Sequence, residues 1–354
     1  MRTRPFMLLF WCLVTTHAVW AQLTVQGQVV DAETQEPIEG VSVFLNNTSY
    51  HAVTDSIGAF TIIGMQGAHQ LIAYKDDYKR SITSINRSTK ARVELKRPFK
   101  PEQTKESQDA PNPYTALQLE EFLNTFKLDF LGRSRNAENC EILNPEVLTF
   151  NLAGGNTLRV TASVPIVIRN NRLGYDLTYH LKSYVRNLRT TSYVGHVFYQ
   201  NTPGLELKPK HFQAREKAYN GSTAHFLRSV LAGKHNREGY KLQTATDVGG
   251  NWIYKEVPIS NLAVYNNEGV YLFGAGKFRI IYLPERREYN YVRWLKANGI
   301  KEFGRGQYTD MEFAAQKVKI LPSGTIDPPL GLVFRGYMGW EQMADALPMN
   351  YNPQ

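Results

Sequence analysis

The chain has 354 residues and a formal net charge of +9, with 41 lysine and arginine residues against 32 acidic ones. That length is enough for two buried cores, and the positive excess favours anionic neighbours such as acidic glycans or lipid headgroups. With only two cysteines, Cys12 and Cys140, the fold must be stabilised by buried apolar area rather than by a disulfide framework.

Residues 1–21 have the three parts of a secretory signal peptide. Arg2 and Arg4 give a positive start, an apolar run covers residues 6–14, and small or aliphatic residues then predict cleavage after Ala21. A membrane anchor is the alternative, but it needs about 20 apolar residues and this run is much shorter. We therefore expect an exported protein with no transmembrane segment after cleavage, and export argues against a nucleic-acid partner.

Residues 22–95 alternate between short apolar runs and turns. The runs cover residues 25–29, 41–45, 59–63 and 69–74, and the segments between them contain glycine, proline, asparagine and aspartate. Strands that are separated by tight turns about every ten residues predict a β-sandwich. We expect seven strands in an immunoglobulin-like or prealbumin-like arrangement.

The string VQGQVVDAETQEPIEGVSVFLNNTSYHAVTDSIGAFTI at residues 25–62 resembles a carboxypeptidase-D regulatory-like domain. The residues that carry the resemblance are Gly27, Val29, Asp31, Glu36, Pro37, Ile38, Gly40, Val41, Asn47, Thr48, Thr54, Asp55, Gly58 and Phe60. The sequence departs from the family at residues 76–79, where a glycine usually precedes the aromatic residue. Such domains carry no catalytic residues, so the resemblance implies an address in the envelope of a Gram-negative bacterium and not a zinc carboxypeptidase.

Residues 96–113 contain four prolines among charged and polar residues. This composition predicts an extended linker that lets the domains on either side move separately. Residues 114–354 are predicted to form a larger, β-rich α+β domain, so that the whole chain is mainly β. They begin with an amphipathic helix at 115–131 and continue with an antiparallel hairpin of two long strands, 158–168 and 175–181.

The rest of this region is predicted to contain further strands and two helical segments. The elements are a strand at 193–199, a helical insertion at 210–233, strands at 254–259, 270–273, 278–283, 315–321 and 330–334, and a terminal helix at 340–347. Cys140 lies in a predicted irregular stretch and is expected to be buried, with a nucleophile or an intermolecular disulfide as the alternatives. Pieces such as LDFLGRSRNAENCEILNPEVLTF and GYMGWEQMADALPMNY resemble a Bacteroidetes-type family of exported envelope proteins that carry the same N-terminal module.

No catalytic, cofactor-binding or metal site is predicted, and no HExxH, GxSxG or Walker pattern occurs. His235 and Glu238 have the HxxE spacing of zinc carboxypeptidases, but a catalytic zinc needs a third ligand and no histidine follows His235. Ser222 with His225 is a loose candidate for a nucleophile and its base, although we expect Ser222 to cap a helix instead.

Two further groups of residues could contact a ligand. Arg133 to Arg135 and Asn139 to Glu141 could line a pocket. Basic residues also crowd the helical insertion, where they could contact a phosphate or an acidic sugar, with a solvated face as the alternative. These are Lys208, Lys210, Arg215, Lys217, Arg228, Lys234 and Arg237.

These features favour an exported cell-envelope protein with a non-enzymatic binding or structural role at the outer membrane. A glycan or an outer-membrane protein is the expected partner, and no cofactor is expected. The alternatives are a hydrolase with an unrecognised site in residues 114–354 and an accessory protein of an outer-membrane transporter. A pocket with convergent polar groups and perturbed acids would favour the hydrolase, whereas a flat aromatic or basic patch would favour binding.

Overall fold

The computed structural model describes residues 22–98 and 113–353, except residues 66, 68, 155 and 303. The predicted signal peptide, including the cleavage site after Ala21, lies outside the described residues, as does most of the predicted linker. The described chain is mainly β, as predicted. No helix in these two ranges is both long and apolar enough to cross a membrane.

Residues 22–95 form the predicted seven-stranded sandwich, called the N-terminal sandwich below. Its strands are β1 (Gln22–Asp31), β2 (Ser42–Leu45), β3 (His51–Val53), β4 (Ala59–Met65), β5 (His69–Tyr74), β6 (Ser81–Ile85) and β7 (Thr89–Leu95). β1 pairs antiparallel with β4 and parallel with β7, and the second sheet has the order β3-β2-β5-β6. The two inner faces enclose a core that includes Val25, Val43 and Leu71.

Residues 76–79, where the sequence lacks the glycine of the regulatory-like pattern, still form a turn with a glycine-like backbone conformation. Asp77 has a φ of +68°, a left-handed conformation that aspartate tolerates better than most residues. The Tyr78 hydroxyl then donates a hydrogen bond to Asp31 over 3.0 Å. Asp31 also accepts hydrogen bonds from the backbone N–H of Glu33 and from the guanidinium of Arg97. These hydrogen bonds lower the pKa of Asp31 to about 2, and the bond from Glu33 has the largest effect. The aspartate therefore leaves the turn intact.

Residues 113–353, called the second region below, begin with a half built on one sheet. Its elements are α1 (Ala116–Phe130), β8 (Cys140–Ile142), β9 (Leu148–Ala153), β10 (Thr157–Ala162), β11 (Ile166–Asn170), β12 (Tyr175–Arg186) and β13 (Thr191–Asn201). The sheet has the order β8-β11-β12-β10-β9, and β13 also pairs with β12. The predicted helix is confirmed as α1, which starts with a capping box of Thr115 and Gln118 and buries Phe126 and Phe130 against the sheet.

The predicted strand at 158–168 is two strands. β10 ends at Ala162, β11 begins at Ile166, and Pro165 lies in the break between them. Because proline has no N–H to donate, it interrupts a ladder at this kind of position. Both strands pair antiparallel with β12, whereas the predicted hairpin paired this strand with a single long strand. Cys140, predicted to lie in an irregular stretch, begins the short strand β8.

The other half of the second region contains two more sheets and four α-helices in the described chain. Its elements are α2 (Pro209–Tyr219), α3 (Thr223–Leu231), β14 (Tyr240–Val248), β15 (Asn251–Glu256), β16 (Ala263–Asn266), β17 (Gly269–Phe273), β18 (Lys277–Tyr282), α4 (Tyr289–Ala297), β19 (Gln307–Phe313), β20 (Lys317–Ile320), β21 (Ile326–Asp327), β22 (Leu332–Gly336) and α5 (Tyr337–Trp340). The sheet orders are β15-β14-β18-β19-β22 and β16-β17-β20-β21. Phe226, Leu227 and Val230 of α3 lie in the core with Leu272 and Met311.

The prediction of a terminal helix at 340–347 is wrong. α5 ends at Trp340, and the chain then continues as an irregular tail, residues 341–353, without a further helix in the described residues. The tail is held by the first half of the second region, because the backbone N–H groups of Met343 and Ala344 donate to carbonyls at the end of α1. Asp345 accepts a hydrogen bond from Ser134 over 2.7 Å, which fixes the tail in this position.

The N-terminal sandwich is docked against the second region. The backbone N–H of Asn47 donates to the carbonyl of Val197 over 2.7 Å, and that of Tyr199 donates to the carbonyl of Thr48 over 3.0 Å. In the tail, the N–H of Met349 donates to the carbonyl of Asn47 over 2.7 Å. The composition of residues 96–113 predicts that the domains on either side move separately. The hydrogen bonds above instead hold the N-terminal sandwich against the second region.

Candidate functional site

A cleft of about 670 Å³ opens on the second region, where the loop after α1, helix α2 and the loop from β18 to α4 meet. It is called the charged cleft below. The residues that line it are Arg135, Glu138, Lys217, Pro284, Glu285, Arg286, Arg287, Glu288, Tyr289 and Asn290. A small cavity of about 20 Å³ shares Arg135, Lys217 and Glu288 with the cleft and is also lined by Arg172, Tyr337, Glu341 and Asp345.

Three cationic side chains of the cleft have no partner among the residues that the structure describes. The charged groups of Arg135, Lys217 and Arg286 make no hydrogen bond or ion pair there, and all three side chains are exposed. Arg287 differs, because its guanidinium pairs with Glu302 over 3.0 Å. Cations that converge on a concave surface without partners raise the local concentration of anions.

The carboxylates of the cleft accept hydrogen bonds from uncharged donors. Glu288 accepts a hydrogen bond from the backbone N–H of Arg135 over 2.6 Å, and Glu138 accepts one from the Asn290 amide over 2.9 Å. The side-chain amide of Asn220 donates to Glu285 over 3.3 Å, and burial raises the pKa of this carboxyl group. The acids therefore do not neutralise the unpartnered cations by direct contact.

Two acids of the small cavity have perturbed pKa values. Burial raises the pKa of Asp345 to about 6, against the opposing effect of hydrogen bonds from Ser134 and Asn136. Burial also raises the pKa of Glu341 well above its usual range, and the charge of Asp345 adds to this shift. A carboxyl group with a pKa of about 6, like that of Asp345, can hold or release a proton near neutral pH.

Among the residues that the sequence singled out, Arg135 lies in the cleft. Arg133 does not line it, and its guanidinium donates to the carbonyl of Leu128. Asn139 donates from its side chain to the carbonyl of Arg135 over 2.8 Å and so supports the cleft loop. Glu141 is an exposed residue of β8.

The other candidate residues, Ser222, His225, His235 and Glu238, do not line the cleft. Ser222 caps α3, as predicted, by accepting a hydrogen bond from the backbone N–H of His225. Nε2 of His225 lies 2.9 Å from the carboxylate of Glu238. Glu238, the glutamate of the HxxE pattern, is therefore paired with His225. No group of three or more potential metal ligands occurs in residues 22–98 and 113–353 outside the four gaps.

The basic residues of the helical insertion have different roles. Arg215 and Arg228 bind main-chain carbonyls of the fold, and Arg228 donates to Ser323, Met349 and Tyr351. Lys217 lines the charged cleft. The remaining four lie open to solvent, as expected for a solvated face: Lys208, Lys210, Lys234 and Arg237.

Cys140 is half-buried rather than buried, and burial raises the pKa of its thiol to about 12. We expect Ellman's reagent at pH 8 to label the native protein on the order of 1,000-fold more slowly than the unfolded chain, because only the thiolate reacts. Rates measured with and without denaturant check this. Labelling of the native protein within about tenfold of the unfolded rate would contradict the shielded thiol.

Comparison with known proteins gives a family for the start of the chain. Residues 25–108 match the CarboxypepD_reg-like domain family. No curated protein matches the chain.

Several solved structures overlap with the chain at low TM-scores. One is a chain of a type II cohesin–X–dockerin complex from Acetivibrio cellulolyticus (24% identity, 21% of this chain and 56% of that chain, TM-score 0.19). A second is the minor pilin of Streptococcus agalactiae (20% identity, 23% and 47%, TM-score 0.20), so this chain spans about half of the length of both. A third is a DUF3823 family protein from Bacteroides ovatus (9% identity, 74% and 90%, TM-score 0.19). The match to the family model, and not these structures, identifies residues 25–108 of this chain as a carboxypeptidase regulatory-like domain.

Proposed function

We propose that this chain is an exported cell-envelope protein whose charged cleft binds an anionic glycan. The observation that carries the proposal is the convergence of three unpartnered cations, Arg135, Lys217 and Arg286, on one cleft of the described chain. The signal peptide expected at residues 1–21 and the regulatory-like domain support the envelope address. An outer-membrane location is part of this proposal.

The shape of the cleft favours a sugar over a compact anion. Its volume of about 670 Å³ is that of a site for a small molecule rather than for a single ion. Tyr289 at the rim is 73% exposed and offers an aromatic face, against which the apolar face of a sugar ring can pack. Binding by exposed cations weakens with salt, because ions screen charges over about 8 Å at physiological ionic strength.

Calorimetric titration with a tetrasaccharide of uronic acids tests the proposal. We expect Lys217→Glu and Arg286→Glu each to weaken binding by about tenfold or more, since each removes a charge-assisted hydrogen bond and adds a repulsive charge. Lys210→Glu is the matched control, because it makes the same change on the exposed surface of α2 and should leave the affinity unchanged.

Two further ligands complete the test. A neutral tetrasaccharide should bind at least about tenfold more weakly than the acidic one if the cations select the ligand. Inorganic phosphate that binds as tightly as the acidic tetrasaccharide would contradict the glycan assignment. No binding of the acidic tetrasaccharide, or equal loss in Lys210→Glu, would contradict the cleft as the site.

A hydrolase is the second candidate, and the two perturbed acids of the small cavity favour it. Asp345 and Glu341 retain protons at a higher pH than ordinary carboxyl groups, as a general acid must. New reducing ends in the same mixture of protein and acidic tetrasaccharide would support the hydrolase. Binding without new reducing ends would support the binding role.

A further inference from the structure

Two histidines are buried where the N-terminal sandwich meets the second region. His180 on β12 and His196 on β13 are opposite each other in the antiparallel ladder and are 2% and 7% exposed. The His180 ring stacks on Phe44 at a centroid distance of 5.3 Å and meets the edge of Tyr74 at 4.7 Å. Both aromatic partners belong to the sandwich, so His180 is part of the docking interface.

Neither histidine has a compensating partner for a positive charge among the described residues. Nε2 of His180 and Nδ1 of His196 are buried without a hydrogen-bond partner in this part of the chain. The charged groups that influence them are positive: Arg80 of the sandwich acts on both, and Lys182 of β12 acts on His196.

The remaining titratable groups at this interface do not change that balance. Asp76 accepts a hydrogen bond from the Tyr74 hydroxyl over 2.5 Å. His51 on β3 stacks on Phe198 at a centroid distance of 5.4 Å and brings no negative charge to the interface. A proton on His180 would therefore be buried beside like charges, which is unfavourable as long as the sandwich stays docked.

We propose that His180 and His196 form an acid-sensitive latch, whose protonation releases the N-terminal sandwich from the second region. Release exposes both rings to water, where a positive charge is solvated. The docked state therefore binds fewer protons than the released state, and acid shifts the equilibrium towards release.

The direction and size of the effect follow from the docked and released states. Burial lowers the pKa of His180 from 6.5 to about 3 in the docked state, and the pKa of His196 is also lowered. The docking equilibrium is thus unaffected by pH above about 6.5 and weakens as the pH falls below it. At about pH 5, His180 alone should favour release by about 30-fold relative to about pH 7.5.

Hydrogen exchange on the full chain without the signal peptide measures this directly. Peptides that contain Asn47, Val197 and Tyr199 report the interface hydrogen bonds, and exchange rates are corrected for the intrinsic effect of pH. We expect the opening constant of these amides to rise by about 30-fold or more between about pH 7.5 and pH 5. Amides in the β1–β4 ladder of the sandwich are the internal control and should change little.

Variants separate the latch from general acid sensitivity. His180→Phe with His196→Phe keeps the rings but removes the protons, so the pH response of the interface amides should be lost. Arg80→Ala removes a positive charge that disfavours protonation in the docked state, so its response should level off at a higher pH than in the wild type. His235→Gln removes another buried histidine and should retain the wild-type response. Equal opening at both pH values in the wild type, or a wild-type pH response in the double variant, would overturn the proposal.

Discussion

Replacing Arg215 with alanine is expected to lower the free energy of unfolding of the second region by about 3–5 kcal/mol. Arg215 is 5% exposed, and its guanidinium donates to the carbonyls of Leu173 and Gly174 and to the Asn201 side chain over 2.7, 3.1 and 2.9 Å. It also lies 3.6 Å from the ring centre of Tyr175. Truncation removes all three of these hydrogen bonds and takes the cation away from the ring.

Urea unfolding followed by tryptophan fluorescence measures this change. The tryptophans beyond the predicted signal peptide are Trp252, Trp294 and Trp340, so the signal reports the second region. Arg215→Lys should recover only part of the loss, because an ammonium group cannot reproduce the planar fork of a guanidinium. Lys210→Ala, an exposed change on the same helix, should stay within about 0.5 kcal/mol of the wild type. A loss below about 1 kcal/mol for Arg215→Ala would contradict the structural role.

Replacing Phe130 with alanine is expected to lower the free energy of unfolding by about 3–5 kcal/mol. Phe130 is fully buried, and its ring lies 5.0, 4.8 and 5.0 Å from the rings of Phe126, Tyr179 and Tyr193. The change removes a large side chain from the contact between α1 and its sheet and leaves a cavity there.

The same fluorescence titration measures this loss, with Leu117→Ala as the matched control. Leu117 lies on α1 but is 75% exposed, so its truncation should cost less than about 0.5 kcal/mol. Equal effects of the two substitutions would show that α1 does not pack as the structure describes.

Prediction of the fold from sequence worked best where local signals were strong. Turn residues and apolar runs indicated the N-terminal sandwich, and apolar spacing indicated α1. β14 and β19 were not predicted, because the polar residues that follow Leu242 and surround Met311 obscure the alternation. α4 was also missed, because its aromatic and β-branched residues are weak helix formers. The tail after α5 was predicted as a helix because its apolar spacing resembles one, whereas its position depends on the distant residue Ser134.

The charged cleft was harder to predict, because its residues are far apart in the sequence. Arg135, Lys217 and Arg286 each look like ordinary solvated charges, and only the packing of three segments brings them to one cleft. The sequence did indicate that Arg135 could line a pocket. No sequence signal pointed to Glu341, because its pKa is raised by burial and by the nearby charge of Asp345, which only the folded structure brings about.

A crystal structure of the protein with the acidic tetrasaccharide tests the central proposal most directly. We expect a carboxylate of the sugar within hydrogen-bonding distance of at least two of Arg135, Lys217 and Arg286, with a sugar ring against Tyr289. A tetrasaccharide bound elsewhere, with the cleft open to solvent, would contradict the charged cleft as the binding site.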